Sequence, residues 1–136
     1  MENINISEVE YITFALAKKM LEFNEPIPDF STRFPNILES CLAVPFQEFD
    51  KKSLYQGFIS KAAVLFYLLI KNHPFQNGNK RIAMTTLLYF LIKNKKWIKV
   101  NPVELYHFAV WIASSNSRLK DETVKAIEKF LKTYLV

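Results

Sequence analysis

Two apolar runs, Ala62 to Ile70 and Ile82 to Ile92, restrict this chain more than any other feature. Thr85 and Thr86 are the only interruptions in the second. Upstream, Phe58, Ala62, Leu65, Phe66 and Leu69 recur at spacings of three and four, and further apolar residues fill the gaps. That pattern describes helices buried on most of their circumference. It predicts one helix from a cap at Ser53 to about Asn72 and another from Asn79 to Asn94. Only two glycines occur, Gly57 and Gly78, in 136 residues. So few glycines argue against a fold of tight β turns. The expected class is all-α, with about six helices in one domain over residues 1–136.

The rest of the chain fits around that pair. Ser7 and Glu10 have capping-box spacing before an amphipathic segment, Tyr11 to Phe23. Asn24 to Pro35 holds three of the six prolines and reads as a loop. A short helix, Asn36 to Ala43, follows. Val44 to Lys52 has Pro45 and no helical start signal, so an exposed loop or flap is expected there. Lys95 to Val100 reads as an extended connection. Asn101, Pro102 and Glu104 supply a cap, a proline at the first helical position and an acid at the third. They open a helix to about Ser114. A last helix is expected over Leu119 to Leu135.

Composition excludes several function classes. The single cysteine, Cys41, leaves no internal disulfide and fits a reducing compartment. Two histidines and one cysteine hardly make a zinc site. Met1 to Glu10 is polar and acidic, unlike a secretion signal. Lys61, Lys71 and Lys93 break the apolar stretches, so no transmembrane segment is indicated. A cytoplasmic protein is expected. The charge of +5 permits an acidic partner or nucleic acid. However, the cluster Lys93, Lys95, Lys96 and Lys99 accompanies no DNA-binding motif, and a solvated helix end is the simpler reading.

Between the two buried helices lies His73-Pro74-Phe75-Gln76-Asn77-Gly78-Asn79-Lys80-Arg81. A connecting turn has little structural need for an imidazole, three amides and two cations. A chemical need is easier to state. Asn79, Lys80 and Arg81 open a helix, whose N-terminus presents N–H groups and a positive dipole end. Cations there oppose the dipole unless an anion is bound. Gly78 allows close backbone approach to such an anion. His73 stands a few residues upstream as a candidate base, or as a histidine that ends the preceding helix and bonds its last carbonyls.

Placed between two buried helices, this turn resembles the Fic/Doc family motif His-x-Phe-x-Asp/Glu-Gly-Asn-Gly-Arg-x-x-Arg. The Doc branch, the death-on-curing toxins of bacterial toxin–antitoxin pairs, has lysine for the later glycine and lacks the last arginine. Lys80 and Met84 follow Doc at both positions. Arg33 with Ile37-Leu38-Glu39-Ser40-Cys41-Leu42-Ala43 is similar to the Doc stretch Arg-x-x-x-Leu-Leu-Glu-Ser-Ala-Leu-Ala. The resemblance implies a Fic/Doc-type helical domain. It also implies transfer of phosphate from ATP to a serine or threonine hydroxyl on a protein. Elongation factor Tu is the branch's best-known target, and a small antitoxin protein acts in trans. AMP transfer of the Fic type is the alternative. No membrane and no direct nucleic-acid partner are implied.

By that resemblance His73 is the general base, Gly78, Asn79, Lys80 and Arg81 hold the nucleotide's phosphates, and position 77 meets Mg2+. Here that position is Asn77, an amide where the family has an acid, which weakens a hard-cation site. The departure keeps open a catalytically weak or silent binding module. Other roles also have two readings. Asn79 lines the anion pocket or is a plain N-cap. Arg33 reaches phosphates or an acidic partner. Glu39 and Ser40 shape the site or lie on the surface. Phe75 is expected to anchor the turn, Cys41 to be core and His107 to be structural or surface.

Overall fold

A computed structural model describes residues 1–19 and 26–136. The fold is all-α, with one small hairpin among the described residues. Helix α1 is a continuous helical path over residues 6–19, with a π-helical stretch at Val9–Thr13. Then come α2 (Pro35–Ala43), strands β1 (Glu48–Phe49) and β2 (Lys52–Ser53), α3 (Phe58–Lys71), α4 (Asn79–Lys93), α5 (Pro102–Ser114) and α6 (Lys120–Tyr134). The ends expected at Phe23 and Asn24 lie outside the described residues.

The two apolar runs form the packed centre, as expected. Every residue of α3 from Lys61 to Ile70 is buried, and α4 buries Ile82 to Leu87, Phe90 and Leu91. Each large apolar side chain so placed contributes about 1.5–3 kcal/mol. Helices α1 and α5 flank α4, and α6 lies along α3. The two threonines inside the second run are explained by α1. The Thr85 hydroxyl donates to the Thr13 carbonyl at 2.7 Å, and Thr86 shares a hydrogen bond with the Thr13 hydroxyl at 3.0 Å. Arg81 donates to the Ala17 carbonyl, while Tyr89 and Lys93 both bond Glu8. Residues 81, 85, 89 and 93 therefore form one i, i+4 polar seam on α4, which runs antiparallel to α1. The π-helical turn departs from the i−4 ladder where this seam meets the Thr13 carbonyl.

Several boundaries differ from the sequence reading. The first capping box is Asn5 with Glu8, not Ser7 with Glu10: Asn5 Oδ1 accepts from the Glu8 N–H, and Glu8 accepts from the Asn5 N–H. Ser53 caps nothing and lies in β2. The long helix starts at Phe58 after Gly57, which has φ +87. The exposed loop or flap expected over Val44 to Lys52 is corrected in its first part: Val44–Phe46 is a 3-10 turn with Pro45 buried and Phe46 packed on Phe90, and only the rest is an exposed hairpin, with Asp50 and Lys51 both at positive φ, the turn that matches strand twist. Helix α2 starts at Pro35, one residue early. Asn101 caps α5 as expected, accepting from the Val103 N–H at 2.8 Å. Among the described residues, no helix is long and apolar enough to cross a membrane.

Candidate active site

The nine-residue turn joins the C-terminus of α3 to the N-terminus of α4. Asn72 is the last right-handed residue of α3, and His73 follows at φ +49, in the left-handed region. That position after a helix usually takes glycine. The His73 ring is exposed and makes no hydrogen bond among the described residues. Phe75 turns inward and is 1% exposed. Its ring centroid lies 5.5 Å from Phe14 and 5.9 Å from Phe30. This aromatic trio roots the turn in the core, as expected of Phe75. The Phe34 N–H also holds the Pro74 carbonyl at 2.9 Å, tying the start of α2 to the turn.

Helix α4 begins on Gly78, which has φ +71 and offers no side-chain cap. No acidic residue occupies the first helical turn. This end keeps its positive dipole uncompensated by an acidic side chain. Glycine is required here for a reason the sequence does not give. A Cβ would lie 2.5 Å from Ile27 Cδ1 and 3.3 Å from the Pro26 carbonyl oxygen. The close approach is made by the chain's own 26–27 segment.

Two expected phosphate ligands have structural engagements. The Asn79 carboxamide accepts from the Phe75 N–H at 3.0 Å and donates to the Phe75 carbonyl at 2.9 Å. It pins the turn to the helix start, so the amide is turned toward the loop and not outward into an anion pocket. Arg81 is 7% exposed, and one arm of its guanidinium donates to the Ala17 carbonyl. Lys80 is half-buried on the same first turn. What the turn offers a negatively charged ligand is backbone N–H groups, the helix dipole and nearby positive charge, because the Asn79 and Arg81 side chains are engaged within the protein. A fork of side chains is a smaller part of it than the sequence suggested.

Asn77 is exposed, and its Oδ1 accepts from the Gly78 N–H at 2.8 Å. Among the described residues, no three His, Cys, Asp or Glu side chains gather into a metal-holding group. Mg2+ takes six oxygens, with one or two carboxylates typical of its protein sites. One neutral amide oxygen that already accepts a hydrogen bond does not fit that requirement.

Beside His73 lies a cavity of about 360 Å³ lined by Asn36, Ile37 and Ser40 of α2 and by Asn72. Its position was not legible in the sequence, although Ser40 was singled out. Arg33 stacks on Phe30 with its guanidinium 4.4 Å from the ring and donates to the Phe30 carbonyl at 3.3 Å. Glu39 is exposed. A second, almost wholly apolar trough of about 350 Å³ runs between α1 and α4, lined by Leu16, Lys19, Leu88, Tyr89, Ile92 and Trp97 among others. Cys41 is buried, with its thiol pointing at the Leu68 carbonyl, and desolvation pushes its pKa up to about 11. It is an inert core thiol, as expected. His107 is exposed on α5.

Residues 3–91 match the family model described as Fic/DOC family, a region that contains the whole turn and both helices around it. No curated protein and no solved structure matches the chain.

Proposed function

Because the chain belongs to the Fic/DOC family, we propose that it transfers phosphate from ATP to a serine or threonine hydroxyl of a protein. Members of the family generally transfer nucleotidyl or phosphate groups to proteins. One observation carries the reading: an exposed, left-handed His73 stands at the mouth of an uncapped, acid-free helix N-terminus. His73 takes the proton of the acceptor hydroxyl. Phe75 and the Asn79 amide hold the turn so that the imidazole is positioned before substrate arrives. The first-turn N–H groups that follow Gly78, with the charges of Lys80 and Arg81, stabilise negative charge on phosphate oxygens. ATP, when bound, supplies the phosphoryl group and its leaving group.

Phosphate transfer is favoured over AMP transfer by Met84. The AMP-transferring pattern has a second arginine at that position, and here the side chain is fully buried in apolar core. Asn77 favours a second reading, a weak or silent module, since no carboxylate stands in its place.

Control comes from a separate small acidic protein. No serine or threonine here is followed four residues later by glutamate, so the self-inhibiting Fic pattern is absent from the sequence. The +5 charge draws an acidic partner. The apolar trough, with Lys19 on its wall, suits an amphipathic helix carrying acidic flanks.

The deciding experiment incubates the chain with γ-labelled or α-labelled ATP and a bacterial lysate. Transfer of γ-label only, lost in His73→Ala, is the expected result. Transfer of α-label identifies AMP transfer. Transfer of neither label, with intact folding, identifies the silent module.

A further inference from the structure

The lysine cluster of the sequence divides in the structure, and its larger part acquires new neighbours. Lys93 pairs with Glu8 at 2.6 Å and belongs to the seam between α1 and α4. Lys95, Lys96 and Lys99 are exposed on the connection that follows α4. That connection is tied to the end of α6. The Lys99 N–H bonds the Tyr134 carbonyl at 2.8 Å, and the Val136 N–H bonds the Trp97 carbonyl at 2.9 Å. Helix α6 brings three more exposed lysines, Lys125, Lys129 and Lys132, at i, i+4 and i+7 on one face. Lys96 and Lys132 line the same cavity of about 270 Å³. Six lysines from two distant stretches of the chain therefore share one surface.

Their charge is poorly compensated. None of the six side chains has a salt bridge or hydrogen bond among the described residues. Lys125 and Lys129, four apart on one helix, repel each other. The acid among them is Glu128, half-buried on the wall of the same cavity. Asp121 and Glu122 bound the surface in the first turn of α6, and Glu104 beside it is taken by the Tyr134 hydroxyl. The chain has 18 basic and 13 acidic residues. With those bounding acids counted in the remainder, the rest of the chain balances at twelve of each, and the six lysines and Glu128 account for the whole excess of +5. Trp97, 43% exposed, stands between Lys96 and Lys99 and also lines one end of the apolar trough.

We propose that this surface binds single-stranded nucleic acid through its phosphates, without reading sequence, with Trp97 as a stacking platform. A basic surface that gathers lysines from several elements is the electrostatic footprint of such a ligand. Lysine meets phosphate as a point charge, and the surface has no arginine to fork onto a base edge. A polymer with a charge on every unit can engage the whole row. Acidic protein segments and anionic bilayers are drawn by the same charge but bring no bases to stack on the indole. The cavity lies at the start of α3 and His73 follows its end, about 20 Å away along the helix. The inference therefore stands independently of the proposed activity.

Fluorescence anisotropy of a labelled oligouridylate, titrated with the intact chain from about 50 to about 200 mM salt, tests it. Five or six phosphate contacts predict a slope of log affinity on log salt of about −3.5 to −4. Lys129→Glu with Lys132→Glu should weaken binding at least about tenfold and flatten the slope by about 1.4. Lys18→Glu with Arg118→Glu makes the same change in net charge away from the surface, and should cost less than about threefold with the slope kept. Circular dichroism melts check that both variants fold. In Trp111→Phe the sole remaining indole is Trp97, and oligouridylate should quench its emission. Polyglutamate and phosphatidylserine vesicles, offered under the same salt, should bind more weakly and leave that emission unchanged. Equal losses in the two charge variants overturn the inference. So does the absence of binding at low salt, an unquenched Trp97, or polyglutamate or vesicles binding as tightly as the oligonucleotide.

Discussion

His73 and Lys95 share a backbone feature with opposite functional weight, and glycine at each position separates strain from chemistry. Both follow a helix C-cap, with φ +49 and +61. Lys95 completes a capping motif: its N–H bonds the Ile92 carbonyl at 2.9 Å, and the Lys96 N–H bonds the Leu91 carbonyl at 2.8 Å. A left-handed backbone costs an L-residue about 1–2 kcal/mol. Glycine removes that cost but loses about 0.5–1 kcal/mol of unfolded-state entropy. The net expectation is a gain of about 0.5–1 kcal/mol for His73→Gly and for Lys95→Gly. Unfolding entropy of about 2.1 cal/mol/K per residue gives about 0.3 kcal/mol/K over 136 residues. Each substitution should therefore raise the melting temperature by about 2–3 °C. His73→Ala keeps the left-handed backbone, loses only an exposed ring and should melt close to the original. In the transfer assay, His73→Gly and His73→Ala should both lose about 100-fold or more, while Lys95→Gly keeps full activity. The measurements are thermal melts by circular dichroism and label transfer on the same samples. If His73→Gly melts below His73→Ala, the strain argument is wrong. If His73→Gly retains transfer, His73 serves the fold and not the chemistry.

Asn77→Asp should create the anionic ligand that the turn lacks; titration calorimetry should then detect Mg2+ with ATP more tightly than in the original chain, and transfer should rise. Unchanged affinity and unchanged transfer would place residue 77 away from the phosphates. A second expectation concerns acid stability. Burial acts to raise the Glu8 pKa, but hydrogen bonds from Lys93, the Asn5 N–H and Tyr89 outweigh it and hold the carboxyl below its ordinary 4.5. A depressed carboxylate stabilises the fold fully above its unfolded value and loses that contribution as pH falls through the lower folded value. Glu8→Gln should therefore flatten the fall in the urea midpoint below about pH 4.5. An acid limb as steep as the original's would show that Glu8 does not anchor α1 to α4.

The central helix pair was legible because an apolar run without a polar face has one stable place, the core. The flap was legible only in its exposed second half, since Val44–Phe46 turns inward and buries Pro45. Its turn residues, Asp50 and Lys51, lack the glycine that announces a left-handed hairpin. The first cap was misplaced because Asn5–Glu8 and Ser7–Glu10 both have the capping spacing. Nothing local says that Glu8 is also needed by Lys93 and Tyr89, which lie more than eighty residues away. The helix started at Phe58 and not after Ser53 for a related reason, since Ser53 belongs to a hairpin whose pairing is not written in its own residue type.

The side-chain directions in the turn were not legible in its residue types. Asparagine and arginine at the start of a helix invite the reading that both face a ligand. Arg81 is instead the first member of the 81–85–89–93 seam, and its neighbour in that seam, Thr85, also bonds a carbonyl of α1. Asn79 sits four residues after Phe75, close enough to close a two-bond ring with that residue's backbone. Both side chains therefore fix where the helix N-terminus and His73 stand relative to the core. Where the helix N-terminus stands therefore depends on the packing of α1 against α4. A partner helix seated in the trough between those two helices would touch the same seam at Thr85 and Tyr89.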